Sequence, residues 1–234
     1  MITLAHIFPI ESSYCLFSEN HESALKSLVT RPTDVEHCVL RTKSTSTLQN
    51  LLFQCAVSYA TKEANVTYIC QQPFTNLPPG VHGMPRPEAN VLKTVKFLYM
   101  KTVEEVVEFC ATIHNRVLSP DLLILDDIES YIEQLQGPCL EHKAAKFCAL
   151  LCDAVNFIKS KNDGPRHLLL SCIDSSNRLV SVFRNSGIQV LNVEEVQPDK
   201  FQMTTTTGSK SIGVEFCSQK GEVYLQNFRV KETS

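Results

Sequence analysis

The sequence predicts an α/β fold: a mostly parallel central sheet flanked by helices, with an antiparallel hairpin at the C-terminal end. Three observations carry this expectation. The stretch 122–125 is a short, continuous apolar run, the pattern of a strand buried on both faces, and 168–172 and 188–193 read as further buried strands. Between such runs, apolar residues recur at helical spacing. Finally, 212–217 and 222–228 alternate and meet across Gln219-Lys220-Gly221, which reads as a hairpin.

Taken in order, residues 37–40 form the first buried strand. Leu48, Leu51, Leu52, Cys55 and Tyr59 follow at spacings of three and four, one stripe of a helix. Residues 66–70, rich in β-branched and aromatic side chains, make a second strand. Five prolines and two glycines between Gln71 and Pro87 then require a loop. Val91, Val95, Phe97 and Tyr99 alternate and suggest a third strand. Thr102 opens the next helix as an N-cap, and Glu105 three residues on completes a capping box. Val103, Val106, Val107, Cys110, His114 and Val117 are the expected inner face of that helix. Ala144, Cys148, Leu151, Val155 and Ile158 mark a further helix that ends near Gly164-Pro165.

At 234 residues the chain suits one such domain, over 36–234, preceded by an N-terminal extension, 1–35. Ile7, Phe8, Ile10, Tyr14, Leu16 and Phe17 of the extension follow neither the helix nor the strand period. They either pack on the domain or anchor a second protein. With 22 basic against 25 acidic side chains, a net charge of -3 excludes a protein clamped to nucleic acid or membrane by bulk charge; only a local patch could do so. The acidic excess lies in the middle of the chain, between 101 and 162. No window approaches the ~18 apolar residues of a membrane span. Pro9 and Glu11 break the apolar start, so no signal peptide is expected. Ten cysteines include no C-x-x-C pair and mostly sit in apolar runs, as free thiols do in a reducing compartment, cytosol or nucleus.

The sharpest local signal is Leu122-Leu-Ile-Leu-Asp126-Asp127. In P-loop nucleotidases an apolar strand ends in an aspartate that holds magnesium. The same string also suits a strand whose carboxylates merely turn to solvent. The partner motif would be a glycine-rich loop ending in Gly-Lys-Ser/Thr after the first strand. The corresponding stretch, Arg41-Thr-Lys-Ser-Thr-Ser-Thr47-Leu48, has hydroxyls and Lys43 but no glycine; the first glycine of the chain is Gly80. Backbone N–H groups converge on a phosphate through tight turns that Cβ atoms obstruct. Lys43, Ser46 and Thr47 with Asp126 and Asp127 therefore form at most a degenerate nucleotide and magnesium site. ATP and magnesium are expected only if that remnant still binds. No catalytic residue is assigned. Cys139, His142, Cys148 and Cys152 have spacing for zinc, but the last two fall on the apolar stripe of a helix, so no metal site is assigned either.

The order of these elements, with the strings at 66–73, 77–80, 91–99, 102–111, 122–132 and 214–225, resembles the SWIM-type zinc-finger-associated protein of the Shu complex, a divergent relative of the RecA-type recombinase ATPases. The similarity runs from about His37 to Phe228. It implies a RecA-like P-loop-type core, a nuclear location, and an accessory role in homologous recombination and double-strand break repair. The implied partners are a SWIM-type zinc-finger protein, a recombinase with its paralogs, and single-stranded DNA. The sequence departs from the family at the phosphate loop and after the second strand. There the water-activating glutamate is replaced by the string Tyr68-Ile-Cys-Gln71-Gln72-Pro73.

Three functions follow: a non-catalytic adaptor, an active DNA-stimulated ATPase of the same fold, or an α/β interaction module without DNA contact. The resemblance further implies that DNA is met by the loops after the strands at 122–125 and 168–172. The first, 127–141, is acidic and would repel phosphate. The second, 173–187, carries Arg178 and Arg184 as candidate phosphate contacts and Phe183 as a candidate stacking face. Alternatively, Leu179, Val180, Val182 and Phe183 pack on the core and the loop is only a solvated surface.

Overall fold

The computed structural model describes residues 4–10, 37–43, 48–115, 119–161, 164–174, 176–207, 210–219 and 221–232. Strands β1 (His37–Thr42), β2 (Val66–Cys70), β3 (Val95–Tyr99), β4 (Leu122–Leu125), β5 (His167–Ile173), β6 (Gln189–Gln197), β7 (Lys200–Thr207), β8 (Lys210–Gln219) and β9 (Glu222–Glu232) join one sheet. Their order is β3-β2-β4-β5-β1-β6-β7-β8-β9. Pairing is parallel from β3 through β6 and antiparallel from β6 to β9.

Alternation along the parallel strands divides the core into two layers. Cys38, Leu40, Tyr68, Leu122, Ile124 and Leu169 point to one face. Val39, Ile69, Leu123, Leu125, Leu168 and Leu170 point to the other. The second face is covered by α3 (Val103–Ala111), α4 (Ile128–Gln134), α5 (Leu140–Lys161) and α6 (Val180–Asn185). The first face holds α1 (Leu48–Ala60), of whose 13 residues all but Gln49 and Asn50 are buried. An amphipathic helix ordinarily buries one stripe. This one is enclosed because the antiparallel strands, the proline-rich loop and the N-terminal segment close over it. Phe201, Met203, Val214 and Phe216 of the antiparallel strands join its cluster, as do Ile7, Phe8 and Ile10. Phe8 meets the Phe216 ring at 5.2 Å. The proline-rich loop is tied down by buried Gln54, whose Oε1 accepts from Val81 N at 2.9 Å and whose Nε2 donates to Pro85 O at 3.1 Å.

The described part of the N-terminal segment thus packs on the domain itself; Tyr14, Leu16 and Phe17 lie outside the described residues. The α3 capping box is present, with Glu105 N donating to Thr102 Oγ1 and the Glu105 side chain accepting from Thr102 N. Burial pushes the Cys38 thiol up to about 12, as expected of a cysteine that serves as a small hydrophobe.

Four expectations need correction. Val91 belongs to a four-residue helix, α2 (Ala89–Leu92), and β3 starts only at Val95. Val107 is exposed, His114 is exposed in a short 3-10 turn past the end of α3, Val117 lies outside the described residues, and Phe109 completes the α3 face instead. The segment after β4 is not a loop over 127–141 but contains α4, seated by buried Ile128, Tyr131 and Ile132. The segment after β5 likewise contains α6, seated by Val182 and Phe183. Among the described helices none is long and apolar enough to cross a membrane.

Candidate functional site

Parallel strands bring their C-terminal ends to one edge, where ligands of open α/β sheets bind. Here that edge collects the ends of β1, β2, β4 and β5. Asp126, the first residue past β4, is half-buried there. Its Oδ1 accepts from Ser171 Oγ on β5 at 2.7 Å. Its Oδ2 accepts from Gln49 Nε2 at 3.3 Å and from Tyr68 Oη on β2 at 3.4 Å. Ser171 Oγ also accepts from Asp127 N at 2.7 Å, holding that residue at φ 58 where the chain turns into α4. The carboxylate is therefore enclosed by neutral donors from three elements.

This arrangement fits magnesium and ATP poorly. In a P-loop site a Ser or Thr hydroxyl and the strand-end aspartate share the metal ion. Here an amide donor, Gln49, stands in the first turn of α1 and is already bonded to Asp126. Lys43 is exposed just past β1, and Ser46 and Thr47 lie outside the described residues. The sequence between β1 and α1 also has no glycine, the residue that lets N–H groups converge in a tight turn.

The most constrained group of the edge is Arg41, the penultimate residue of β1, only 5% exposed. Its Nε donates to Asp174 Oδ2 at 3.4 Å and one terminal nitrogen donates to Asp174 O at 2.5 Å. That nitrogen also donates to Asn177 Oδ1, and the other donates to Asn192 Oδ1 at 3.1 Å. Asn192 is Arg41's register partner on β6. Asp174, 0% exposed, also accepts from Ser176 N at 2.9 Å, Ser176 Oγ at 2.7 Å and Leu179 N at 3.3 Å. Burial would raise the Asp174 carboxyl, but the Ser176 hydroxyl and N–H, the Leu179 N–H and Arg41 outweigh it and hold the group below its ordinary value.

Beside this network runs an open groove of about 520 Å³ between α6 and β6, lined among others by Arg41, Asn177, Ser181, Arg184, Asn192 and Glu194. Arg184 is exposed within it. The other two DNA candidates fare differently. Phe183 is 0% exposed and packs in the core, so it offers no stacking face. Arg178 donates through Nε and a terminal nitrogen to the two Glu141 carboxylate oxygens at 2.7 and 2.9 Å. In the sequence the Glu141 segment reads only as a source of repulsion; in the fold its charge neutralises Arg178. Among the described residues no cluster of His, Cys, Asp or Glu could hold a metal ion.

Glu129, in the first turn of α4, is shifted in the opposite direction from Asp174. Burial and the negative charges of Asp174, Glu133 and Asp127 raise its carboxyl to about 7. The native state then keeps a proton that the unfolded chain releases, so stability falls as pH rises from about 4.5 to about 7. Glu129→Gln should match wild type in Tm at pH 4 and exceed it by roughly 2 °C at pH 8, after allowance for solvent screening. Equal Tm at both values, by differential scanning fluorimetry, would show that Glu129 is fully hydrated.

No family model matches the sequence, and no curated protein matches it. Solved structures do match the fold. One solved ATPase domain superposes with a TM-score of 0.58 at 5% identity, over 88% of this chain and 89% of that one. A DnaB-like replicative helicase superposes with a TM-score of 0.53 at 7% identity, over 82% of this chain and 59% of the helicase, so less than two thirds of that protein is represented. The flagellar accessory protein FlaH from Methanocaldococcus jannaschii aligns over 85% of both chains at 12% identity, with a TM-score of 0.46. With strand order, layers and the first two superpositions together, the chain has a RecA-like fold.

Proposed function

We propose that this chain is a non-hydrolysing adaptor built on the RecA-like fold, acting in the nucleus in homologous recombination. It works with a SWIM-type zinc-finger partner and the recombinase machinery on single-stranded DNA. One observation carries the non-hydrolysing part: Asp126, the strand-end carboxylate in the magnesium position, is bonded to Ser171, Gln49 and Tyr68. The sequence adds two more reasons, the absent glycines after β1 and Gln71-Gln72 where the water-activating acid would stand. The recombination role and the partner rest on the resemblance of the sequence strings, since fold alone does not fix function.

The experiment is ATP turnover by the chain co-purified with its SWIM partner, with and without an oligonucleotide of thymidines. Release of phosphate should stay at the background level and be unaltered by Asp126→Asn. Turnover that this substitution abolishes would return the protein to the active ATPases. The same preparation tests DNA contact. Arg184→Ala should lower the slope of log K against log salt by about 0.7, one phosphate on a single strand, whereas Arg178→Ala should change it little. Identical slopes for Arg184→Ala and wild type would move DNA binding to the partner.

A further inference from the structure

Arg41 makes four hydrogen bonds that join three separate pieces of chain: the end of β1, Asp174 and Asn177 after β5, and β6. A guanidinium is the one side chain able to do this, because its donors are held in a fixed plane and never lose their charge. The acceptors it reaches are arranged to suit it. Asp174 is placed by its own N–H donating to Thr42 O at 3.1 Å, and its carboxylate in turn takes Ser176 and the start of α6 at Leu179. Asn177 stands at φ 60, a left-handed position that asparagine tolerates, and so aims its amide oxygen inward. Arg41, Asn177 and Asn192 also form one wall of the 520 Å³ groove that holds Arg184.

We propose that Arg41 is a positioning residue: it holds Asp174 and residues 176–185, and with them the groove, permanently in the shape that receives a single-stranded phosphodiester, so that ligand binding needs no nucleotide. The ligand class rests on the DNA reading above; the positioning role does not. Arg41 itself contributes no phosphate contact, because its charge is balanced by Asp174 at 3.4 Å. The phosphate contact falls to Arg184. A segment ordered in advance loses less freedom on binding, which raises affinity without adding a contact.

The test compares wild type, Arg41→Lys and Arg184→Ala by amide hydrogen exchange and by anisotropy of a labelled thymidine oligonucleotide, each with and without ATP and magnesium. In wild type, ATP should leave exchange across 176–185 and oligonucleotide affinity unchanged. Arg41→Lys keeps the charge but not the fork; it should speed exchange there about 10-fold and weaken binding about 10-fold at an unaltered salt slope. Arg184→Ala should do the reverse, lowering the slope by about 0.7 while exchange stays as in wild type. If Arg41→Lys does not fold, Asn192→Ala keeps the Arg41–Asp174 pair and should speed the same exchange about 3-fold. Slower exchange of wild type on adding ATP, or wild-type exchange in Arg41→Lys, overturns the positioning role. Exchange as expected in a protein that binds no oligonucleotide overturns the DNA reading and leaves that role standing.

Discussion

Arg41→Ala is expected to lower the unfolding free energy by about 4 kcal/mol, the usual cost of leaving one partner of a buried ion pair alone. For a chain of this size the corresponding fall in Tm is roughly 10 °C. The cause is less the lost attraction than what stays behind. Asp174 remains buried, and the oxygens of Asn177 and Asn192 lose the donor they face. Ser176 and Leu179 still donate to Asp174, so the carboxylate is not abandoned entirely, and this keeps the loss near the middle of the range. Adding Asp174→Asn to Arg41→Ala removes the stranded charge and should recover part of the deficit. Urea unfolding of the two single variants, the double variant and wild type gives the coupling directly. A loss below ~1 kcal/mol for Arg41→Ala would mean that water replaces the guanidinium, as at a surface pair.

How much of this is open to sequence reading depends on the range of the interactions. Parallel strands and flanking helices are written in local periods, and the runs at 122–125 and 168–172 lie in β4 and β5. β7 escapes because its four threonines look like a low-complexity tract. Yet threonine favours strands, and Thr205 is buried with its hydroxyl donating to Val190 O at 3.0 Å. α6 is only six residues long, too short for a helical period to emerge. At the strand edge, Asp126 is legible because it ends an apolar run. Its partners are not: Gln49, Tyr68 and Ser171 lie 77, 58 and 45 positions away along the chain. Arg41 does carry a signal. A charged residue continuing the run Cys38-Val39-Leu40 in a strand buried on both faces must find an acid, although the sequence does not say that the acid is 133 positions on.

The second large effect lies at the opposite end of the strands. His167 opens β5, is 4% exposed, and shares a hydrogen bond of 3.2 Å between its Nδ1 and the Tyr59 hydroxyl. Its Nε2 has no hydrogen-bond partner among the described residues. The Tyr59 ring lies 5.7 Å from the His167 ring and 4.6 Å from that of His6, and His6 Nε2 stands 3.4 Å from Lys62 Nζ. Burial first, then the positive surroundings of His6, His37 and Arg166, lower the His167 pKa from 6.5 to about 3. Above pH 6.5 the ring is neutral in folded and unfolded chains alike, and it costs nothing. As pH falls from 6.5 toward 3, only the unfolded chain takes up the proton, so stability is lost across that window. By pH 4 the loss from this one group should be about 2–3 kcal/mol, or roughly 5–10 °C in Tm. His167→Gln keeps an acceptor for Tyr59 and does not titrate. It should therefore melt below or level with wild type at pH 7.5 yet lose far less between pH 6.5 and 4. The titrations of Asp174 and Glu129 are common to both proteins and cancel in the comparison. Parallel melting curves for wild type and His167→Gln at every pH from 7.5 to 4 would show that His167 protonates inside the folded protein, with the N-terminal segment and Tyr59 giving way locally to admit water.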